Sequence, residues 1–213
     1  MACLTVSHDG PVWQVAWAHP KFGTILASAS YDARVIIWRD SSTSAQPSWT
    51  KLFEHTVHTS SINSIAWAPH ELGALLACAS SDGKVSVLEF KDDGSWDTKV
   101  FNAHGMGCNA VSWAPAIVPG NLLSTQPDLN AHSMRLATGG CDNVVKIWNF
   151  EYICLPFHEL IPSQEKNTWV EETTLQGHTD WVRDVAFAPS IGMPKTYLAS
   201  GSQVDPLNFC VNT

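Results

Sequence analysis

Lysine and arginine are scarce in this chain: 12 in 213 residues, against 20 aspartates and glutamates, for a formal net charge of −8. A surface of that sign repels a phosphate backbone, so direct nucleic-acid binding is not expected. Charged residues of both signs reach only 15%, below the roughly 25% of an average globular domain. Apolar residues reach 45%, which supports a packed core and argues against disorder. No apolar run approaches the ~18 residues that cross a bilayer. Met1 to His8 lack a basic start and a long apolar stretch, so no secretory signal is expected. There is no Gly-rich phosphate loop and no G-x-S-x-G turn, two common signatures of nucleotide binding and serine hydrolysis. The six cysteines (Cys3, Cys78, Cys108, Cys141, Cys154 and Cys210) include no C-x-x-C pair, and no N-x-[ST] sequon is present. Free thiols in a reducing compartment are the expectation. His55 and His58 stand three apart, but nothing nearby completes a metal set, so neither a metal nor another cofactor is expected. Asp92 and Asp93 fall in Lys-Asp-Asp-Gly, where turn chemistry accounts for them.

Tryptophan is plentiful, with ten residues, and its placement repeats. Trp17-Ala-His-Pro20, Trp67-Ala-Pro69, Trp113-Ala-Pro115 and Phe187-Ala-Pro189 share one pattern. Two residues before each aromatic stands Val15, Ile65, Val111 or Val185, and three earlier Val12, Ile62, Cys108 or Val182. This spacing predicts a short strand closed by a proline turn. A second block follows: Leu26-Ala-Ser-Ala-Ser-Tyr-Asp32, Leu76-Ala-Cys-Ala-Ser-Ser-Asp82 and Leu136-Ala-Thr-Gly-Gly-Cys-Asp142. Six residues after each Asp comes Trp38, Leu88 or Trp148. Small residues, a turn Asp and a β-branched run predict strand, tight turn, strand. Segments near Trp49, Trp96 and Trp169 supply a fourth strand, so each unit has four.

A recurring four-strand unit of this size with a WD-like dipeptide is the WD40 propeller signature. Here the dipeptide softens to Trp38-Arg39 and Trp148-Asn149. The predicted fold is all-β, a partial WD40 β-propeller of about three and a half blades. The units run 8–57, 58–103, 104–177 with long insertions, and 178–213, an incomplete repeat with a divergent tail. The chain breaks register after Ala199-Ser-Gly-Ser202: the expected Asp position holds Val204, and Asp205 to Thr213 do not continue the pattern. Between Trp148 and Trp169 lies an unusually apolar insert, Tyr152 to Pro162.

A histidine precedes each first strand: His8, His58, His104 and His178. With Ser28, Asp32 and Trp38, His8 imitates a Ser-His-Asp triad. The set recurs, however, with Cys78 and Thr138 at the Ser28 position, whereas catalysis needs one site. Resemblance to WD40 proteins implies a structural tetrad that rigidifies each blade, drawn from His8, Ser28, Asp32, Trp38, His58, Asp82, His104, Thr138, Asp142, Trp148 and His178. No catalytic residue is expected. One step into each first strand stands Trp13, Asn63, Asn109 or Arg183, with Trp181 before the last. These positions alternate away from the packed valines, toward one rim, and Trp and Arg are favoured interface anchors. They are candidate interface residues.

The blocks Gly10-Pro-Val-Trp-Gln-Val-Ala-Trp-Ala-His-Pro20, Val35-Ile-Ile-Trp38, Cys108-Asn-Ala-Val-Ser-Trp-Ala-Pro-Ala116 and His178-Thr-Asp-Trp-Val-Arg-Asp-Val-Ala186 resemble the small WD40 subunit of the COPII outer coat over roughly residues 8–202. That resemblance implies a non-enzymatic scaffold: a six-bladed open propeller into which a long outer-coat subunit donates a blade in trans. It implies service also in the nuclear-pore scaffold, with its nucleoporins as partners, and in a TOR-regulating complex. It places the protein on the cytoplasmic face of the endoplasmic reticulum and on COPII vesicles, held to membrane through the coat, and at the nuclear pore. With about three and a half of six units, the chain is expected to be truncated at both ends. The alternatives are a general WD40 interaction adaptor, a truncated non-functional fragment, and a hydrolase built on His8 or His178.

Overall fold

Four antiparallel sheets form, each from one contiguous stretch of chain with its strands in sequence order. The computed structural model describes residues 7–42, 48–117, 132–151, 167–189, 195–204 and 208–212, the last as backbone alone. The insert from Tyr152 to Pro162, and residues 205–207 and 213 of the tail, lie outside the described residues.

The first sheet comprises β1 (Val12–Trp17), β2 (Ile25–Ser30), β3 (Val35–Asp40) and β4 (Trp49–His55). The second comprises β5 (Ile62–Trp67), β6 (Leu75–Ser80), β7 (Lys84–Phe90) and β8 (Trp96–Asn102). The third comprises β9 (Cys108–Trp113), β10 (Arg135–Gly140), β11 (Val145–Glu151) and β12 (Thr168–Leu175). The fourth has three strands: β13 (Val182–Phe187), β14 (Thr196–Ser202) and β15 (Asn208–Asn212). The sheets stack side by side in an open, propeller-like arc.

The fourth sheet gains its third strand where the sequence pattern has lapsed. Asn208 to Asn212 pair with β14, with Asn208 opposite Ser200 and Cys210 opposite Leu198. Backbone pairing needs no block motif, so the third strand forms where the side-chain pattern has lapsed.

The turn between second and third strands shows how local chemistry places these elements. The carboxylates of Asp32 and Asp82 accept the backbone N–H groups of Arg34 and Lys84, each at 3.0 Å. The residue between must enter the left-handed region: Ala33 at φ 66°, Gly83 at 83° and Asn143 at 66°. Gly83 has a second reason to be glycine, since a Cβ there would lie 2.2 Å from the carbonyl oxygen of His104.

The core lies between sheets, not within them. Ile25, Ala27, Val35 and Ile37 of the first sheet pack on Ile62, Ile65 and Leu76 of the second. Ala77, Val85 and Val87 of the second meet Val111, Leu136 and Trp148 of the third. Ala137, Val145 and Ile147 of the third meet Val182, Val185 and Leu198 of the fourth. Each fully buried aliphatic side chain contributes roughly 1.5–3 kcal/mol. Polar bonds staple the same junctions. The indole N–H of Trp67 donates to the Ala16 carbonyl at 3.0 Å, and that of Trp113 to the Ala66 carbonyl at 2.9 Å. In the second and third sheets the Trp-Ala aromatic thus reaches back one sheet. Phe187 has no side-chain N–H, and there its backbone N–H donates to the Ser112 hydroxyl at 3.1 Å instead.

Candidate functional site

In the first sheet His8 Nδ1 lies 3.0 Å from the Asp32 carboxylate and Nε2 lies 2.8 Å from the Ser28 hydroxyl. The carboxylate can only accept, so Nδ1 carries the proton and Nε2 accepts from Ser28. Trp38 Nε1–H donates to the same hydroxyl oxygen at 3.0 Å. This is the connectivity of a catalytic triad in an enclosed place: Ser28 is buried, the His8 and Asp32 side chains are 3% and 7% exposed, and the indole takes one of the two lone pairs of the hydroxyl oxygen. The chemistry available is cross-bracing of β2, β3 and the segment before β1.

The third sheet repeats the arrangement: His104 Nδ1 is 2.8 Å from Asp142, Nε2 is 2.8 Å from Thr138, and Trp148 Nε1 donates to Thr138 at 3.0 Å. Burial lowers the pKa of His104, although Asp142 beside it pulls the other way. Gly140 makes room for this set, since a Cβ there would sit 2.2 Å from His104 Nδ1.

The second sheet departs from the sequence reading. His58 Nδ1 meets Asp82 at 3.0 Å, but Nε2 meets the Ser86 hydroxyl at 2.9 Å, not Cys78. Cys78 occupies the Ser28 register, and Ser86 is its cross-strand partner on β7. The hydroxyl has moved across the strand pair. Leu88 stands where Trp38 stands in the first sheet and has no N–H to donate. The buried Cys78 thiol is pushed up to about 12 by burial, so it is inert as a thiolate. Burial alone would raise the Asp82 pKa. The backbone N–H groups of Lys84 and Thr59 and the His58 ring outweigh it, and the pKa is lowered. In the fourth sheet His178 Nε2 meets the Ser200 hydroxyl at 2.8 Å, and Val204, in the aspartate position, is exposed. Ser86 and Ser200 are the residues that sequence reasoning missed. Ser200 was findable by laying Leu198-Ala-Ser over Leu26-Ala-Ser.

The five candidate interface residues, Trp13, Asn63, Asn109, Trp181 and Arg183, line one cavity of about 610 Å³ together with Met106 and Cys141. Three of them also link sheets. Trp13 Nε1–H donates to Ser61 at 2.8 Å, Asn63 Nδ2 to the Cys108 carbonyl at 2.9 Å, and Asn109 Nδ2 to the Val182 carbonyl at 2.9 Å. The two asparagines are therefore half-buried ties between blades. Arg183 lies over the Trp181 ring at 5.1 Å and donates to Gln203 Oε1. Trp13, Trp181 and Met106 are the exposed apolar groups at this mouth.

One sheet face stands open. Val12, Val15 and Trp17 of β1 are 46%, 56% and 59% exposed, while Ile62 and Ile65, at the Val12 and Val15 positions of β5, are 0% and 2%. Trp17 leans on Trp49 at 5.8 Å. Among the described residues no sheet packs on this face. No helix among them is long and apolar enough to cross a membrane.

Comparison with known proteins adds the following. The family described as WD domain, G-beta repeat matches residues 1–39, 49–88, 123–149 and 169–203. The chain is 53% identical, over 92% of its length, to the protein transport protein SEC13 of Mycosarcoma maydis, covering 59% of that protein. It is 53% identical over 92% of its length to the protein transport protein sec13 of Aspergillus clavatus, covering 63%. To the SEC13 homolog of Drosophila melanogaster it is 50% identical over 92% of its length, covering 51%. The chain thus spans between half and two thirds of the length of these relatives.

Proposed function

Because the chain belongs to the WD domain, G-beta repeat family and shares about half its residues with proteins named for protein transport, we propose that it is a non-enzymatic scaffold subunit of the COPII coat, acting in endoplasmic-reticulum-to-Golgi transport. Its partner is the long outer-coat subunit, which donates a blade in trans. Its place is the cytoplasmic face of the endoplasmic reticulum and of COPII vesicles, held to membrane through the coat. The same scaffold role extends to the nuclear pore, beside its nucleoporins, and to a TOR-regulating complex. Non-enzymatic character is supported by the repeated polar sets, each enclosed and consumed by its own bonds.

The observation that carries the reading is the open face of β1. Its Val-x-x-Val-x-Trp register is that of faces that lie buried under a neighbouring sheet elsewhere in the arc. A blade supplied by a partner has the geometry to cover it. The fourth sheet offers a second mode. β15 pairs only with β14, and the place held by β4, β8 and β12 in the other sheets has no strand among the described residues. Such an edge captures an added strand through backbone hydrogen bonds.

Co-expression with the long outer-coat subunit, followed by size-exclusion chromatography with mass determination, tests this. Co-elution at a defined stoichiometry, lost on Val15→Asp with Trp17→Ser, is expected. A chain that stays monomeric beside the partner, or aggregates in its presence, overturns it. A second reading, a general interaction adaptor, is favoured by the 610 Å³ mouth with Trp13, Trp181 and Arg183. A partner lost on Trp181→Ala but retained by the β1-face variant would select that reading.

A further inference from the structure

At the joint between the third and fourth sheets, valines press on a glycine. A Cβ on Gly139 of β10 would lie 2.6 Å from a Val182 methyl and 3.1 Å from a Val185 methyl. Ala137 packs in one cluster with the same two valines. One half of this joint is thus a Val-x-x-Val pair, and the other an Ala-x-Gly strand. Both halves recur, unfilled, at the two ends of the arc. Val12 and Val15 of β1 stand at the positions of Val182 and Val185 and are exposed. Ala199 and Gly201 of β14 stand at the positions of Ala137 and Gly139. Leu198 packs toward the third sheet, so alternation along the strand turns Tyr197, Ala199 and Gly201 to the opposite face. Tyr197 is exposed there, and a Cβ on Gly201 would meet nothing within 4 Å among the described residues. The polar bonds of a joint are half provided as well. Trp17, at the position of Trp67 and Trp113, has no preceding carbonyl to bond among the described residues. Ala186, at the position of Ala16 and Ala66, whose carbonyls accept those indoles, is exposed. Gln14 Oε1 accepts the Ile65 N–H of the following sheet at 2.7 Å, and the exposed Asp184, at the Gln14 position, offers a carboxylate.

We propose that a second copy of this chain fills both halves. The β1 face of each copy packs on the β14 face of the other, with Val12 and Val15 against Gly201 and Trp17 Nε1 on the Ala186 carbonyl. The contact is heterologous, and applied twice it closes two four-sheet arcs into one ring of eight sheets. Eight is the upper end of the propeller range. The occupant follows from the chain itself, because the joint that Val182, Val185 and Gly139 make within one copy is the joint that the two ends make between copies. Each copy carries a net charge of −8, so association works against repulsion. The ring is accordingly weak, with a dissociation constant of about 10–100 µM, and the chain is single at lower concentration. This inference does not rest on the coat reading and concerns the chain with no other partner present.

The test is sedimentation equilibrium of the full chain alone, at loadings from about 1 to about 300 µM, a span that brackets this constant. The mass is expected to rise from 23.3 kDa toward a plateau at twice that value. Gly201→Leu meets open space in the single chain. It is expected to keep the parent's circular dichroism and dilute-solution melting temperature, yet to weaken self-association at least tenfold. Val15→Asp with Trp17→Ser is expected to weaken it as much from the other half. If Gly201→Leu does not fold, Tyr197→Asp, on the same exposed face, carries the same expectation. A mass that stays at 23.3 kDa at every loading overturns the proposal. So does one that climbs past twice that value without a plateau, because the contact then fails to close. Folded β14-face variants that associate like the parent, while the β1-face variant does not, overturn it too, because the contact is then β1 on β1.

Discussion

Val12, Val15 and Trp17 of the first sheet hold the register positions of Ile62, Ile65 and Trp67 in the second, yet Val12 and Val15 lie open where Ile62 and Ile65 are sealed. The residues are of one kind, β-branched aliphatics followed by Trp, so burial here is not written in the unit. It is conferred by the neighbour. Each repeat carries two apolar faces, and stacking alone decides which of them leaves water. The polar sets behave differently: His8, Ser28, Asp32 and Trp38 close within the first sheet even though its outer face is bare.

The largest test of that contrast is a matched truncation. Ile65→Ala is expected to cost about 2–4 kcal/mol in urea denaturation, and Val15→Ala less than about 0.5 kcal/mol. Equal costs would mean that the β1 face is covered in solution. Next is a pH dependence confined to the junction. Burial, and secondarily the neighbouring His58, lowers His55 from 6.5 to about 4, and its Nε2 has no hydrogen-bond partner among the described residues. The folded state holds this ring neutral, so the unfolded chain binds the extra proton. The stability involved is complete above about pH 6.5 and is lost as pH falls toward 4, by about 2–3 kcal/mol. Thermal melts between pH 7 and 4 should show this slope in the parent and a shallower one in His55→Phe.

Asp32→Ala is expected to cost about 1–3 kcal/mol by leaving His8 and the N–H groups of Asp9 and Arg34 without their acceptor. A melting curve that matches the parent would show that the first sheet's polar set is as dispensable as its outer face. Ser86→Ala should cost about 1–2 kcal/mol, and adding Cys78→Ser should recover much of it by returning a hydroxyl to the Ser28 register. A double variant no better than the single one would place the loss in packing. Smallest is the indole staple: Trp113→Phe should cost about 1 kcal/mol through the lost bond to Ala66. Trp17→Phe, on the open face, should be near neutral in the same denaturation assay.

The strands were readable because three constraints coincide in a short span: alternating β-branched residues, a proline stop, and an Asp that closes the turn on its own backbone. The His-to-Asp pairing was readable because it recurs. Ser86 was not, because the exchange of a hydroxyl between cross-strand partners leaves no mark along the chain. Only the register, Cys78 opposite Ser86, exposes it. The bridging work of Asn63 and Asn109 was hidden for a related reason: their acceptors are backbone carbonyls 45 and 73 residues away, and a carbonyl has no sequence signature. The third strand of the last sheet was missed because pairing depends on backbone geometry, and the side-chain pattern that announces it elsewhere is absent.

The ties from Trp13 to Ser61, Asn63 to Cys108 and Asn109 to Val182 each reach forward one sheet, while the indoles of Trp67 and Trp113 reach back at the Trp-Ala end of the same strands. Mechanically, the arc is a chain of links in series, pinned at both ends of every joint. Tension between the outer sheets passes undivided through each joint, and the compliance of the whole is the sum of theirs. Twisting one sheet on its neighbour must stretch a pin at one end or the other. Such a body bends at its joints before its sheets deform, as a strut carrying load on a curved surface would.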